Sequence, residues 1–391
     1  LIIEPKIRGF ICTTAHPVGC ATNVQRQIDH VVVKGAIPSD RKRVLVLGCS
    51  TGYGLASRIV TTFGSDADTV GVSFERAPAE NKTASAGWYN NRAFEQRAKA
   101  AARVAVTVEG DAFSDAIKAE AIDAIKANLG QVDLIVYSVA SPVRTDPKDG
   151  VTYRSAIKPY GGSVTSKTLN TGSGEVSEIS VEPGTEEEMA ATVKVMGGED
   201  WELWIAALSA AGVLADGFQS LNYTYLGSEL TWPIYHKGTL GKAKADLDRA
   251  AAAIRAQFGE QAAHVVALKA VVTQASSAIP VVPLYGTLLI KVMDEMGIGE
   301  GTIEQIDRLF RVKLQGDIAL DEAARVRVDD WELSDTVQAE LKKRWAVLNT
   351  ENLPALADLA KYREEFLKLF GFGLGGVDYA ADVDPQVVPA A

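Results

Sequence analysis

Tyr235 and Lys244 stand nine positions apart in Tyr-His-Lys-Gly-Thr-Leu-Gly-Lys-Ala-Lys, downstream of a glycine-rich loop, Gly48-Cys-Ser-Thr-Gly-Tyr-Gly54. A phenol beside an ammonium can hydrogen-bond a carbonyl oxygen and stabilise charge that develops on it. Glycines so spaced let a backbone turn tightly and approach a pyrophosphate. Together they imply reduction of a carbonyl-bearing substrate beside a nicotinamide.

The spacing constrains how the pair is carried. On a regular helix, residues four or seven apart return to nearly one face. Nine residues turn through about 900° and advance about 13.5 Å, onto the opposite face. Tyr235 and Lys244 therefore cannot share one continuous helix and still meet. Gly238 and Gly241 supply the break: Tyr235 is expected on an approach loop, with a helix starting near Gly241 and Lys244 in its first turns. Lys237 and Lys242 are rival cations, and spacing alone leaves that choice open.

The apolar run Arg43-Val-Leu-Val-Leu47 enters the glycine loop, and Leu55 to Phe63 follows with helical spacing. Strand, tight turn and helix make Gly48, Cys49, Ser50, Thr51, Gly52 and Tyr53 candidates to hold a dinucleotide. Gly48-x-x-x-Gly52-x-Gly54 resembles the GxxxGxG of short-chain dehydrogenases. The next strand runs to Phe74 and ends at Glu75, where a carboxylate would hold the adenosine ribose and repel a 2′-phosphate, favouring NADH over NADPH. Arg76 is a cation that can pair with such a phosphate, and Glu75-Arg76 also reads as a solvated pair at a strand end. Asp111-Ala112 and Val139-Ala140 follow the third and fourth strands, where the adenine and the nicotinamide ribose would lie. Asp111 can equally cap the helix after it.

These residues need a scaffold, and the chain alternates the elements of one. Strands are expected over 43–47, 69–74, 104–108, 132–137, 219–226 and 264–273. Helices are expected over 114–129, 199–211, 240–258, 284–296, 303–314, 334–348 and 354–369. Thr185-Glu-Glu-Glu188 reads as a capping box opening a further helix. This alternation predicts an α/β fold, a Rossmann-like doubly wound parallel sheet in a single large domain. Residues 43–142 form its first nucleotide-binding part, 143–183 a loop and hairpin insertion, 184–300 a catalytic and substrate-binding part, and 301–391 a helical extension. The apolar stretch Ile279 to Met293 (Val281, Val282, Leu284, Tyr285, Leu288, Leu289) reads either as the wall of an acyl channel or as plain core helix.

The chain has 391 residues, 47% hydrophobic and 23% charged, enough for a large core. A net charge of −10 disfavours nucleic acid and anionic membrane as partners. Cys12, Cys20 and Cys49 lack paired metal-ligand spacing and read as thiols in a reducing compartment. No signal-peptide pattern opens the sequence, and the most apolar run, Ala278 to Val292, is too short to span a bilayer. A cytoplasmic protein without a metal is expected.

A wider set of residues resembles the FabV-type enoyl-(acyl-carrier-protein) reductases and the related trans-2-enoyl-CoA reductases. It includes Arg8-Gly-Phe-Ile-Cys12, His16-Pro-Val-Gly-Cys20, Gly52-Tyr-Gly-Leu-Ala56, Ala86-Gly-Trp-Tyr-Asn90, Gly110-Asp-Ala-Phe-Ser114, Met196-Gly-Gly-Glu-Asp-Trp201, Ala270-Val-Val-Thr-Gln-Ala-Ser-Ser-Ala-Ile-Pro280, Asp329-Asp-Trp-Glu332 and Phe370-Gly-Phe372. That family is marked by Tyr-x8-Lys, where other enoyl reductases use Tyr-x6-Lys. The resemblance implies a monomeric, NADH-dependent enzyme of fatty acid synthesis. Its substrate would be the trans-2 double bond of an enoyl-CoA or of a thioester on acyl carrier protein. It further implies Tyr235 as proton donor, Lys244 as cofactor ligand and Tyr225 as a substrate contact. Cofactor contacts would come from Gly48 to Tyr53, Phe74, Glu75, Asp111, Ala112, Val139, Ala140 and Val271-Val272-Thr273.

Two other readings make contrary demands. A ketone-reducing short-chain dehydrogenase needs its Lys four residues beyond the Tyr, and Thr239 stands there. A non-catalytic NAD-sensing protein would lack the Tyr or the Lys, and both are present.

Overall fold

The structure is a computed structural model that describes residues 1–389. A hairpin of β1 (Ile7–Arg8) and β2 (Ile11–Cys12) precedes α1 (Pro17–Val33). Then β3 (Arg43–Leu47), α2 (Gly52–Ser65), β4 (Asp68–Ser73), α3 (Ala86–Ala100), β5 (Ala105–Glu109), α4 (Asp115–Asn128) and β6 (Val132–Tyr137) alternate. Two antiparallel hairpins follow, β7 (Val143–Thr145) with β8 (Thr152–Arg154), and β9 (Val164–Leu169) with β10 (Val176–Val181). The chain continues through α5 (Glu186–Met196), α6 (Glu199–Ala210), β11 (Leu214–Thr224), α7 (Thr239–Phe258), β12 (Ala263–Ala267), α8 (Gln274–Ser277), α9 (Val282–Glu295) and α10 (Thr302–Arg308). It ends with β13 (Arg325–Arg327), α11 (Asp335–Val347), α12 (Leu353–Leu356) and α13 (Leu359–Lys368).

Seven strands form one sheet in the order β13-β12-β11-β6-β3-β4-β5, and every adjacent pair is parallel. Alternate side chains of a strand feed opposite faces. Val44 and Val46 enter a core shared with α1, α2, α3 and α10, whereas Leu45 and Leu47 enter one shared with α4, α6 and α7. Helices on both faces make the sheet doubly wound. Its direction reverses between β3 and β6, where the chain returns after building outward through β4 and β5. In such sheets the crevice beyond the carboxyl ends of the strands at that reversal receives the ligand.

Several expected elements differ. The strand expected over 264–273 stops at Ala267: Leu268 N–H still reaches the Thr224 carbonyl at 2.9 Å, but the amides after it leave the ladder for side chains, Lys269 N–H donating to Gln305 Oε1 at 3.0 Å and Ala270 N–H to Glu332 Oε2 at 2.7 Å. The 354–369 helix is two, α12 and α13, and 303–314 ends in a π-helical turn, Leu309–Lys313. Helices α1 and α3 and edge strand β13 were not expected. The capping box at Thr185 is present, with Glu188 N–H donating to Thr185 Oγ1 at 3.1 Å and Thr185 N–H to Glu188 Oε2 at 3.0 Å. Leu284, Tyr285, Leu288 and Leu289 are buried against Val337, Leu341 and Leu353, which makes their helix face core. Among the described residues no helix is long and apolar enough to cross a membrane.

Candidate active site

Gly48 leaves β3 with φ +79°, and a Cβ there would lie 2.3 Å from the Ser138 carbonyl oxygen. A Cβ on Gly54 would lie 1.8 Å from the Gly48 carbonyl oxygen. Any larger residue at either position would force the loop off the sheet. Helix α2 starts after Thr51, whose side chain makes no capping bond, so its first-turn N–H groups keep no side-chain acceptor. An uncapped amino end behind a glycine turn fits a pyrophosphate. Thr273 closes over it, its methyl 3.9 Å from where a Gly52 Cβ would be.

Beyond β4, the Glu75 carboxylate accepts from Ser50 Oγ at 2.6 Å. Phe74 is 78% exposed beside it. The Arg76 guanidinium donates to the Thr83 carbonyl at 3.3 Å instead of pairing with Glu75. Of the two roles open to Asp111, helix capping falls to Ser114, which accepts from Ile117 N–H at 3.2 Å. Asp111 accepts from Phe113 N–H at 3.0 Å in a local turn. The Ala112 carbonyl is fixed by Lys118 Nζ at 3.1 Å and Trp204 Nε1 at 3.0 Å. Val139 and Ala140 follow β6 against the glycine turn. The crevice thus gathers Gly48 to Tyr53, Glu75, Asp111, Ala112, Val139, Ala140 and Thr273 along one sheet edge, a set that fits an adenine dinucleotide.

Tyr235 and Lys244 follow β11, whose carboxyl end lies on the same side of the sheet. Tyr235 closes a turn, its N–H donating to the Thr231 carbonyl at 3.0 Å and its own carbonyl accepting from Gly241 N–H at 3.1 Å. A Cβ on Gly241 would lie 1.8 Å from the His236 carbonyl oxygen, so glycine alone lets the turn fold back onto the helix. Helix α7 begins at Thr239, one residue before the helix expected over 240–258, and puts Lys244 in its second turn. Lys237 and Lys242 are exposed, the latter over the Tyr160 ring at 5.9 Å. Lys244 is partly buried, and desolvation lowers its ammonium from 10.5 to about 8. Tyr235 is 6% exposed, and burial pushes its phenol well up. Neither polar end has a hydrogen-bond partner among the described residues.

Tyr225 meets Tyr235 edge to face, ring centroids 5.2 Å apart. Its hydroxyl donates to Glu332 Oε1 at 3.2 Å. Tyr285 OH donates to the same oxygen at 2.8 Å. In the sequence Tyr285 reads only as channel wall or core helix and Glu332 enters only through the resemblance, because each reaches Tyr225 from a distant element. The Tyr53 hydroxyl donates to the Lys269 carbonyl at 2.7 Å, tying the glycine loop to the segment holding Val271, Val272 and Thr273.

Residues 82–315 match the profile of the trans-2-enoyl-CoA reductase catalytic region, and residues 2–80 that of its NAD(P)H binding domain. Residues 320–383 match a profile described as an enoyl reductase FAD binding domain. Val337, Leu341, Leu353, Phe366 and Phe370 are buried, and a Cβ on Gly371 would lie 2.5 Å from the Cys20 amide nitrogen. An enoyl-(acyl-carrier-protein) reductase (NADH), FabV, of Aeromonas salmonicida is 57% identical over 390 residues, covering 99% of this chain and 98% of that one. A Treponema denticola trans-2-enoyl-CoA reductase solved with NAD is 48% identical, with TM-score 0.94 over 98% of each chain. A Clostridium acetobutulicum trans-2-enoyl-CoA reductase solved with NADH is 39% identical, with TM-score 0.95 over 99% of this chain and 98% of that one.

Proposed function

The chain belongs to the trans-2-enoyl-CoA reductase family, and we propose that Tyr235 and Lys244 carry out its reaction, the NADH-dependent reduction of a trans-2-enoyl thioester. The observation that carries the residue assignment is the pair of polar ends, phenol and ammonium, desolvated and left without protein partners among the described residues. The acceptors they await are a substrate oxygen and a ribose.

NADH bound in the crevice supplies the hydride for the β-carbon. Tyr235 donates a hydrogen bond to the thioester oxygen, where negative charge develops, and its proton passes to the α-carbon. Lys244 bonds the nicotinamide ribose. Gly48 to Tyr53 hold the pyrophosphate, Glu75 with Phe74 the adenosine ribose, and Asp111-Ala112 the adenine. Val139-Ala140 and Val271-Val272-Thr273 flank the nicotinamide. Tyr225 forms a wall of the substrate pocket. In this division 43–142 binds nucleotide, 143–183 is an insertion, 184–300 carries catalysis and 301–391 supports it.

The acyl group reaches the enzyme on acyl carrier protein or on CoA in fatty acid synthesis, and the enzyme works as a cytoplasmic monomer. NADH oxidation with crotonyl-CoA, with a simple ketone as control, tests the reading. Turnover of the ketone alone would replace it with the short-chain dehydrogenase reading. Binding of NADH without turnover of either would leave a sensor.

A further inference from the structure

Glu332 is fully buried and accepts from groups on three separate elements, one of which carries Tyr225, packed against Tyr235. Its Oε2 accepts from Ala270 N–H at 2.7 Å, at the head of the segment leading to Thr273. Its Oε1 accepts from Tyr285 OH of α9 at 2.8 Å and from Tyr225 OH, just past β11, at 3.2 Å. A carboxylate has about four acceptor positions, and three are filled here by donors from separate parts of the fold. Burial raises the Glu332 carboxyl, and nearby Lys269 opposes the rise.

The backbone behind Glu332 is held rigidly. Val328 N–H donates to the Ala267 carbonyl at 2.9 Å, extending the pairing of β13 with β12. The Val328 carbonyl accepts from Arg308 Nη2 at 2.6 Å and from Gln305 Nε2 at 2.9 Å. Arg308 also bonds Asp330 at 2.7 Å and lies 4.2 Å from the Trp331 ring centroid. A carboxylate on so fixed a base can orient what it touches.

We propose that Glu332 is a positioning residue of the reductase, acting through the Tyr225 hydroxyl to hold the ring against which Tyr235 is packed. A phenol has one proton to donate. Tyr225 gives its proton to Glu332, so it meets the substrate as a ring edge or as an acceptor. Tyr235 is left as the phenol whose proton is free for the thioester oxygen. Without the Tyr225–Glu332 hydrogen bond, the Tyr225 ring loses its anchor and the Tyr235 ring its backing. The proposal rests on the reading of Tyr235 as proton donor.

The test is a double-mutant cycle in the full chain, with NADH and crotonyl-CoA. Glu332→Gln keeps the shape but can satisfy only one side, the Ala270 amide or the two phenols, as acceptor. It is expected to lower kcat about ten- to a hundredfold, the order expected for misplacing a reacting group, with KM for NADH unchanged. Tyr225→Phe should lower kcat similarly, and adding Glu332→Gln to it should cause no further loss. Wild-type kcat in Glu332→Gln, or losses that multiply in the double mutant, overturns the proposal. If Glu332→Gln does not fold, Glu332→Asp, one methylene shorter, is measured in its place. Failure of both to fold makes the carboxylate purely structural and overturns the proposal too. Tyr235→Phe is run alongside: full turnover there refutes the donor assignment itself, whatever the Glu332 variants do.

Discussion

The Ser50 hydroxyl donates to Glu75 Oε1 at 2.6 Å, fastening the residue just past β4 to the loop that leaves β3. The same oxygen is crowded by α3, where a Cβ on Gly87 would lie only 2.0 Å from Oε1 and 2.7 Å from Ser50 Cβ. Gly87→Ala should therefore push Glu75 off Ser50 while helix propensity favours the alanine by roughly 1 kcal/mol. The expected outcome is a stable protein whose KM for NADH rises several-fold and whose preference over NADPH narrows. Steady-state kinetics with both cofactors measure it, and unchanged kinetics would mean that Glu75 relaxes freely.

Tyr235→Phe removes a proton donor and an oxyanion partner while keeping the ring that packs on Tyr225. Turnover should drop by about two to four orders of magnitude, with NADH affinity near that of the parent. Fluorescence titration with NADH and single-turnover rates separate the two quantities. Turnover close to the parent's would remove Tyr235 from the mechanism.

Lys244→Met should weaken NADH binding and lower turnover together, while Lys242→Met, on an exposed side chain, should do neither strongly. Desolvation brings the partly buried Lys244 ammonium down to about 8. The Tyr235 phenol is pushed upward and stays protonated through that range. Because kcat/KM reports the free enzyme, its profile for NADH should decline above about pH 8, and Lys244→Met should lose that decline. Equal effects from the two lysines would reverse the assignment between them.

Stability should carry the same signature. The folded-state pKa of Lys244 lies below its ordinary 10.5, so between about 8 and 10.5 the folded chain binds fewer protons than the unfolded chain. This group's contribution to stability thus rises with pH across that window, and the cost of burying the ammonium is complete below about pH 8. Lys244→Met should raise stability at pH 7 by about 1 to 3 kcal/mol and flatten the rise toward pH 10. Denaturant unfolding of both proteins at the two pH values checks the sign. A destabilised Lys244→Met at pH 7 would contradict the burial cost.

The parts of the site legible in the sequence are those written locally. Gly48, Gly52 and Gly54 sit between an apolar strand and a helix, and the nine-residue spacing of Tyr235 and Lys244 ruled out a shared regular helix. Helix α3 was not legible because its buried face includes Asn90 and Asn91, which are satisfied only in the fold: Asn90 donates to the Ser50 carbonyl at 3.0 Å, and Asn91 to Ser73 Oγ at 2.9 Å. Hydrophobic periodicity does not register such a face. Strand β13, three residues long, is below the length that alternation can mark. Its importance comes from carrying the chain to Glu332, whose partners lie 47 to 107 positions away.

The last prediction concerns cofactor choice. Glu75 stands where the adenosine ribose is expected, and it would repel a 2′-phosphate by about 1 to 3 kcal/mol for a partly screened contact between like charges. Glu75→Ala should raise kcat/KM for NADPH by roughly one to two decades, and it should weaken NADH binding through lost ribose hydrogen bonds. Arg76 is exposed nearby, and a single 3.3 Å bond to the Thr83 carbonyl occupies its guanidinium. Once the carboxylate is gone, that cation can leave Thr83 and pair with the phosphate, a bidentate contact that suits a guanidinium. Adding Arg76→Ala to Glu75→Ala should therefore remove most of the NADPH gain, whereas Arg76→Ala alone should change the cofactor ratio little, because the Glu75 carboxylate still repels the phosphate. Kinetics of the four proteins with both cofactors complete the cycle. Equal use of both cofactors by the parent, or an unchanged ratio in Glu75→Ala, would reduce Glu75 to a surface acid bound to Ser50.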